Sequence, residues 1–243
     1  MHLAAMFATF SCDAVLFDLD GVLVDSAEVV ERTWQRWAAR HGLDPQDVIR
    51  TAHGRRTIET VRLLAPHLAA DDEVAALAAS ESTETDGVYE VPGARELLDS
   101  LPAGSWAVVT SGIRPVAELR LRHTRLPTPP VLVTADQVRH GKPHPEGYLT
   151  AAARLGADPA RCIVVEDTPP GIEAAHAGGM RVVAVASTYP AEALRPADAV
   201  VPTLAWVRSE RSSGETLRIT LREPLTTSLR PGRWPGLRSA GDA

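Results

Sequence analysis

Five short apolar runs punctuate the chain: AVLFD (14–18), WAVVT (106–110), VLVT (131–134), CIVVE (162–166) and VVAVA (182–186). Each has strand length, and helical patterns lie between them. Strands that are apolar on both faces belong to a sheet covered on two sides. The pattern therefore predicts an α/β fold built on a doubly wound parallel sheet.

One interval breaks the rhythm. The chain between Asp18 and Trp106 is far longer than a single crossover helix requires, and it reads as helical. In AEVVERTWQRWAARHG, Val30, Trp34, Trp37 and His41 share one stripe, Asp25 or Ser26 is placed to cap the start, and Gly42 stops the helix. TIETVRLLAPHL and DDEVAALAAS continue in the same way, and VPGA (91–94) marks the return. Residues 27–91 are thus expected to form a helical insertion above the carboxyl end of the first strand, with the α/β core spanning 1–26 and 92–207. Trp34 and Trp37 read as the insertion's own core. Residues 208–243, with seven Arg against four acidic residues and scattered Pro, Gly and Ser, read as a flexible tail, although TLRITLRE within it has the alternation of a strand.

Composition narrows the function classes. With 44% hydrophobic and 23% charged residues the chain is of ordinary globular type, and a net charge of −6 argues against coating nucleic acid or an anionic membrane. No apolar run reaches the length of a membrane span, and the N-terminal MHLAAMFATFS lacks the basic start of a signal peptide, so the cytoplasm is the expected location. Cys12 and Cys162 read as buried, reduced thiols. A monomer or weak homo-oligomer is expected.

Ligands of open α/β sheets bind beyond the carboxyl ends of the strands. The first strand delivers Asp18-Leu19-Asp20-Gly21 there, the second Thr110-Ser111-Gly112, and the fourth Glu166-Asp167; Lys142 arrives in the loop HGKPHPEGYL. Several carboxylates at one sheet edge repel unless a cation is present or some take up protons, and Mg²⁺ favours carboxylates, carbonyls and a substrate phosphate. Thr110, the amides of Ser111 and Gly112, and Lys142 suit phosphoryl oxygens. Asp18 and Asp20 suit a division of labour between a nucleophile and a proton donor. Asp18, Asp20, Asp167 and Glu166 are the candidate metal ligands. His140 and His144 read as loop residues.

These four motifs, in this order, resemble the haloacid dehalogenase superfamily of phosphotransferases over roughly residues 13–207. The resemblance implies an Mg²⁺-dependent phosphomonoesterase working through an aspartyl-phosphate, with a helical cap inserted after the first strand. The segments HGRRT, VPGA, WAVVTSG, VTADQVRHGKPHPEGYL and VEDTPPGI further resemble the phosphatases of glycerol phosphate and 2-deoxyglucose 6-phosphate. A small phosphorylated polyol or sugar is the implied substrate, with His53, Arg55, Arg56 and Thr57 as the candidate cap contacts.

Two other readings stay open on sequence. A phosphomutase of the beta-phosphoglucomutase type shares every core motif, but such enzymes place a histidine ten residues after the second aspartate, where this chain has Val30. A phosphonatase would need a cap lysine, and residues 27–91 contain none. From another class, a non-catalytic phosphate-binding module would use a similar acidic cluster without the cap.

Overall fold

The computed structural model describes residues 8–211 and 216–221. Strand β1 (Thr9–Cys12) precedes the first apolar run, which forms β2 (Ala14–Phe17). A two-residue strand, β3 (Val24–Asp25), leads into four helices, α1 (Ala27–His41), α2 (Pro45–Ala52), α3 (Thr57–Leu64) and α4 (Ala70–Glu81), and β4 (Tyr89–Glu90) ends the excursion. The chain then alternates through α5 (Ala94–Ser100), β5 (Trp106–Val109), α6 (Arg114–Thr124), β6 (Val131–Val133), α7 (Glu146–Leu155), β7 (Cys162–Glu166), α8 (Pro169–Ala177) and β8 (Arg181–Val185). Three strands close it: β9 (Ala199–Val201), β10 (Val207–Arg211) and β11 (Leu217–Leu221).

The five apolar runs and β9 form one parallel sheet in the order β6-β5-β2-β7-β8-β9. The first strand is central, and the winding reverses on either side of it, which opens a crevice at its carboxyl end. Phe17 is in register with Val108 of β5 and Val165 of β7, so Asp18, Thr110 and Asp167 leave the sheet side by side. One face buries Phe17, Val108, Val165 and Leu121; the other buries Leu16, Val164, Tyr148 and Ile172. Both cysteines are buried and free, and burial pushes their thiols up to about 12 at Cys12 and about 11 at Cys162.

The four-helix excursion has its own apolar centre of Trp34, Trp37, Val48, Ile49, Val61 and Leu77. Its exit and return are tied by the antiparallel pair β3–β4. Ser26 takes the N-cap position of α1 but bonds elsewhere, and the Asp25 carboxylate accepts the Ala27 amide at 3.2 Å. Gly42 ends the helix in the left-handed conformation that glycine adopts without strain. Trp34 and Trp37 pack edge to face, and the Trp37 indole N–H donates to Glu73, which also meets His41.

The expectation of a flexible tail from residue 208 does not hold for the described part of that segment. Strand β11 pairs with β1 on one side and β10 on the other, forming an antiparallel sheet. Leu217, Ile219 and Leu221 alternate inward and are buried, so the period of TLRITLRE gives the strand a face to bury. The apolar N-terminal run falls partly on residues 1–7, and the rest of the proposed tail on 212–215 and 222–243; these lie outside the described residues.

Candidate active site

A cavity of about 310 Å³ lies between the carboxyl end of the sheet and the helical insertion. Asp18, Asp20, Thr110, Ser111, Gly112 and Asp167 line it from below, and His53, Arg55 and Thr57 from above. Lys142, Glu166 and Arg56 do not line it.

Lys142 and Glu166 are instead buried beside it. The Lys142 ammonium donates to Asp18 Oδ1 and to Glu166 Oε1, both at 2.5 Å. Glu166 Oε1 also accepts the Tyr148 hydroxyl, while Oε2 accepts the amides of Asp167 and Thr168 and the Thr168 hydroxyl. Both oxygens of Glu166 are thereby engaged, and the side chain holds Lys142 beside the cavity. Gly171 is part of the arrangement: a Cβ there would lie 1.8 Å from Glu166 Oε1.

The charges explain the titration of the cluster. Burial pushes Asp18 up to about 7, against the pull of Lys142. Burial, followed by the Glu166 and Asp18 charges, raises Asp167 well above the carboxylate range. Burial would raise Glu166 too, but Lys142 and the surrounding donors outweigh it and hold Glu166 low. Burial opposes the Lys142 charge, yet the two carboxylates keep the lysine protonated.

Three buried carboxyl groups face one ammonium, and their mutual repulsion helps keep the proton on Asp167. Asp167 Oδ1 is buried without a hydrogen-bond partner, and ligand oxygens of Asp18, Glu166 and Asp167 lie within 4.8 Å of one another. This donor set could bind a hard divalent cation. Gly21 makes the approach of Asp167 possible: its φ of +81° disfavours a side chain, and a Cβ would meet Asp167 Oδ2 at 2.0 Å.

The segment after β5 forms a small polar cradle. Thr110 is buried, its hydroxyl accepts the Gly112 amide at 3.0 Å, and Ser111 donates its own hydroxyl to the Gly54 carbonyl of the insertion. Of the two amides expected to face a phosphate, only that of Ser111 has no partner among the described residues.

The HGRRT segment divides its residues. His53 lies at the cavity wall beside Tyr189, and burial lowers its pKa. Arg56 turns away from the cavity, a correction to its expected role as a substrate contact. Its guanidinium donates to the carbonyls of Val138 and Arg139 and to Glu59, and Glu59 in turn accepts the Gly141 amide. This clasp grips the loop that carries Lys142 from the side of the insertion.

Sequence reasoning passed over four contributors. Ser187 and Thr188 line the cavity just after β8, with the Ser187 hydroxyl on the Gly21 carbonyl at 2.6 Å. They follow the fifth apolar run, which the strand-end argument did not pursue. Tyr148 reads as an ordinary core aromatic on α7. Arg120 gave a stronger signal, because it interrupts the apolar stripe of Val116, Ala117 and Leu121 on α6, where a charge is expensive.

Comparison with known proteins shows the family. Residues 15–185 match the family model described as haloacid dehalogenase-like hydrolase. Hexitol phosphatase A of Escherichia coli is 43% identical over 202 residues, covering 79% of this chain and 92% of the enzyme. The 2-deoxyglucose-6-phosphate phosphatase 1 of Saccharomyces cerevisiae is 34% identical over 245 residues, covering 90% and 99%. The solved structure of CbbY from Rhodobacter sphaeroides in complex with phosphate superposes with a TM-score of 0.69 at 23% identity, over 80% of this chain and 95% of that one. At that identity the likeness shows the fold.

Proposed function

The chain belongs to the haloacid dehalogenase-like hydrolases, and from that premise we propose that it is an Mg²⁺-dependent phosphomonoesterase acting on a small polyol or sugar phosphate. The observation that carries the proposal is the convergence of Asp18, Asp20, Thr110 and Asp167 on one cavity, with Lys142 in contact with Asp18 behind it.

Asp18 is the nucleophile. Lys142 holds Oδ1, which leaves the second oxygen to attack phosphorus, and the ammonium offsets the repulsion between carboxylate and phosphate. The Thr110 hydroxyl and the Ser111 amide would receive the phosphoryl oxygens, with Lys142 supplying positive charge from behind Asp18. Asp20 gives a proton to the departing alkoxide, then takes one from the water that cleaves the aspartyl-phosphate. The carboxylates of Asp18 and Asp167 and the main-chain carbonyl of Asp20 would hold Mg²⁺, since the Asp20 carboxylate is already engaged by Ser26 and Arg120. Bound there, the ion supplies charge neutralisation between nucleophile and phosphate.

The helical insertion covers the site and excludes water, and His53, Arg55 and Thr57 face the leaving alcohol. A volume of about 310 Å³ suits a small ester. The phosphomutase reading loses further ground, because Val30 lines the cavity and has no group with which to move a proton.

The test is phosphate release from a panel containing a hexitol phosphate, glycerol 1-phosphate, 2-deoxyglucose 6-phosphate and other hexose phosphates, with Mg²⁺ or EDTA. Metal-dependent release supports the reading. Magnesium binding without hydrolysis of any ester would favour a non-catalytic phosphate module.

A further inference from the structure

Arg120 sits on the inner stripe of α6, and its side chain is 5% exposed. An apolar residue there would pack with Val116, Ala117 and Leu121, and burying a guanidinium is expensive unless its donors are answered. One of them is: Nη1 donates to Asp20 Oδ1 at 2.6 Å. Ser26 donates to the same oxygen at 2.7 Å. The other oxygen, Oδ2, has only the Thr110 hydroxyl, at 3.5 Å. The two oxygens of Asp20 are therefore inequivalent, one fixed and one left for chemistry.

The second arm of the guanidinium is also informative. Nη2 is buried without a hydrogen-bond partner, and Glu81, the last residue of α4, lies 3.9 Å away. One arginine from the core thus reaches both Asp20 and the helical insertion. Asp20 does not need this arginine for its own solvation, because its side chain is 27% exposed.

We propose, on the phosphatase reading above, that Arg120 is a positioning residue: with Ser26 it fixes Asp20 by Oδ1, so that Oδ2 is the oxygen that exchanges protons with the alcohol and with water. In the first step an Asp18 oxygen bonds to phosphorus as the bond to the alcohol oxygen breaks, and that oxygen takes the proton from Asp20 Oδ2. In the second, water oxygen bonds to phosphorus as the Asp18–phosphorus bond breaks, and the water proton passes to Asp20 Oδ2. Inorganic phosphate and the free alcohol result, with both aspartates restored.

An orienting role for the acid predicts a dependence on the leaving group. A hexitol phosphate releases an alkoxide that needs the proton, whereas p-nitrophenyl phosphate releases a phenolate that departs without one. The parameter to compare is kcat/KM with Mg²⁺, which reports the steps up to departure of the leaving group. Arg120→Gln is expected to lower it roughly 100-fold for the hexitol ester and less than about threefold for the nitrophenyl ester. Arg120→Lys should recover about a tenth or more of the lost activity. Ser26→Ala, which removes the other donor to Oδ1 without emptying the core, should show the same asymmetry at smaller amplitude. Equal losses on both esters, or no loss on either, overturn the proposal. Wild-type protein that hydrolyses no ester of the panel above overturns the phosphatase reading itself, a separate pattern.

Discussion

The Lys142 ammonium lies 2.5 Å from both Asp18 Oδ1 and Glu166 Oε1, and all three side chains are buried. A buried charge stripped of its partner is strongly destabilising, whereas removing charges in matched pairs is not. Lys142→Met should therefore abolish turnover and cost about 3–5 kcal/mol of stability, because it leaves two carboxylates facing each other. Adding Glu166→Gln should restore a substantial part of that stability and none of the activity. Urea unfolding of the single and double variants, run beside a phosphate-release assay, checks both halves.

Asp18 carries a second prediction through its titration. Its pKa is about 7 when folded, above the ordinary value of 3.8, so the stability it contributes is complete below that lower value and lost as pH rises through about 7. In metal-free buffer, Asp18→Asn should thus raise Tm above that of wild type by roughly 3–6 °C at pH 8, and by clearly less at pH 5. Scanning calorimetry at the two pH values reads the difference. A gain that does not depend on pH would contradict the assignment of the strain to this carboxylate.

The Arg56–Glu59 clasp predicts an effect at a distance. Arg56→Ala frees the carbonyls of Val138 and Arg139, and loosens the loop leading into Lys142 without touching the cavity wall. Since misplacement of a positioned group can cost about 100-fold, kcat should fall by roughly 10- to 100-fold. Small KM changes would accompany it, because the residue does not contact substrate. A rise in KM alone, with kcat unchanged, would return Arg56 to the role of substrate contact.

Much of this arrangement is legible in the sequence. The five apolar runs became adjacent strands because residues covered on both faces have one stable arrangement, and the order of polar groups after them placed Asp18, Asp20, Thr110 and Asp167 together. Side-chain direction was less accessible. Arg55 and Arg56 are neighbours in a polar loop, and spacing alone does not say which faces the cavity; the carbonyls of the 138–141 loop decide it, and they come from a distant part of the chain. Glu166 and Asp167 are adjacent acids with opposite assignments, because Tyr148 and Thr168 saturate one and leave an oxygen of the other bare. The strands β10 and β11 were hidden for a different reason: their alternation is short, and it acquires a buried face only when β1 lies alongside.

The central claim is that phosphoryl transfer passes through the carboxylate of Asp18. Protein mixed with a hexitol phosphate and Mg²⁺ can be quenched in acid within one turnover and digested, and its peptides read by mass spectrometry. The account predicts one phosphoryl group on the peptide containing Asp18, absent with EDTA and absent in Asp18→Asn. Steady turnover by Asp18→Asn, or a phosphoryl group on any other residue, would contradict it.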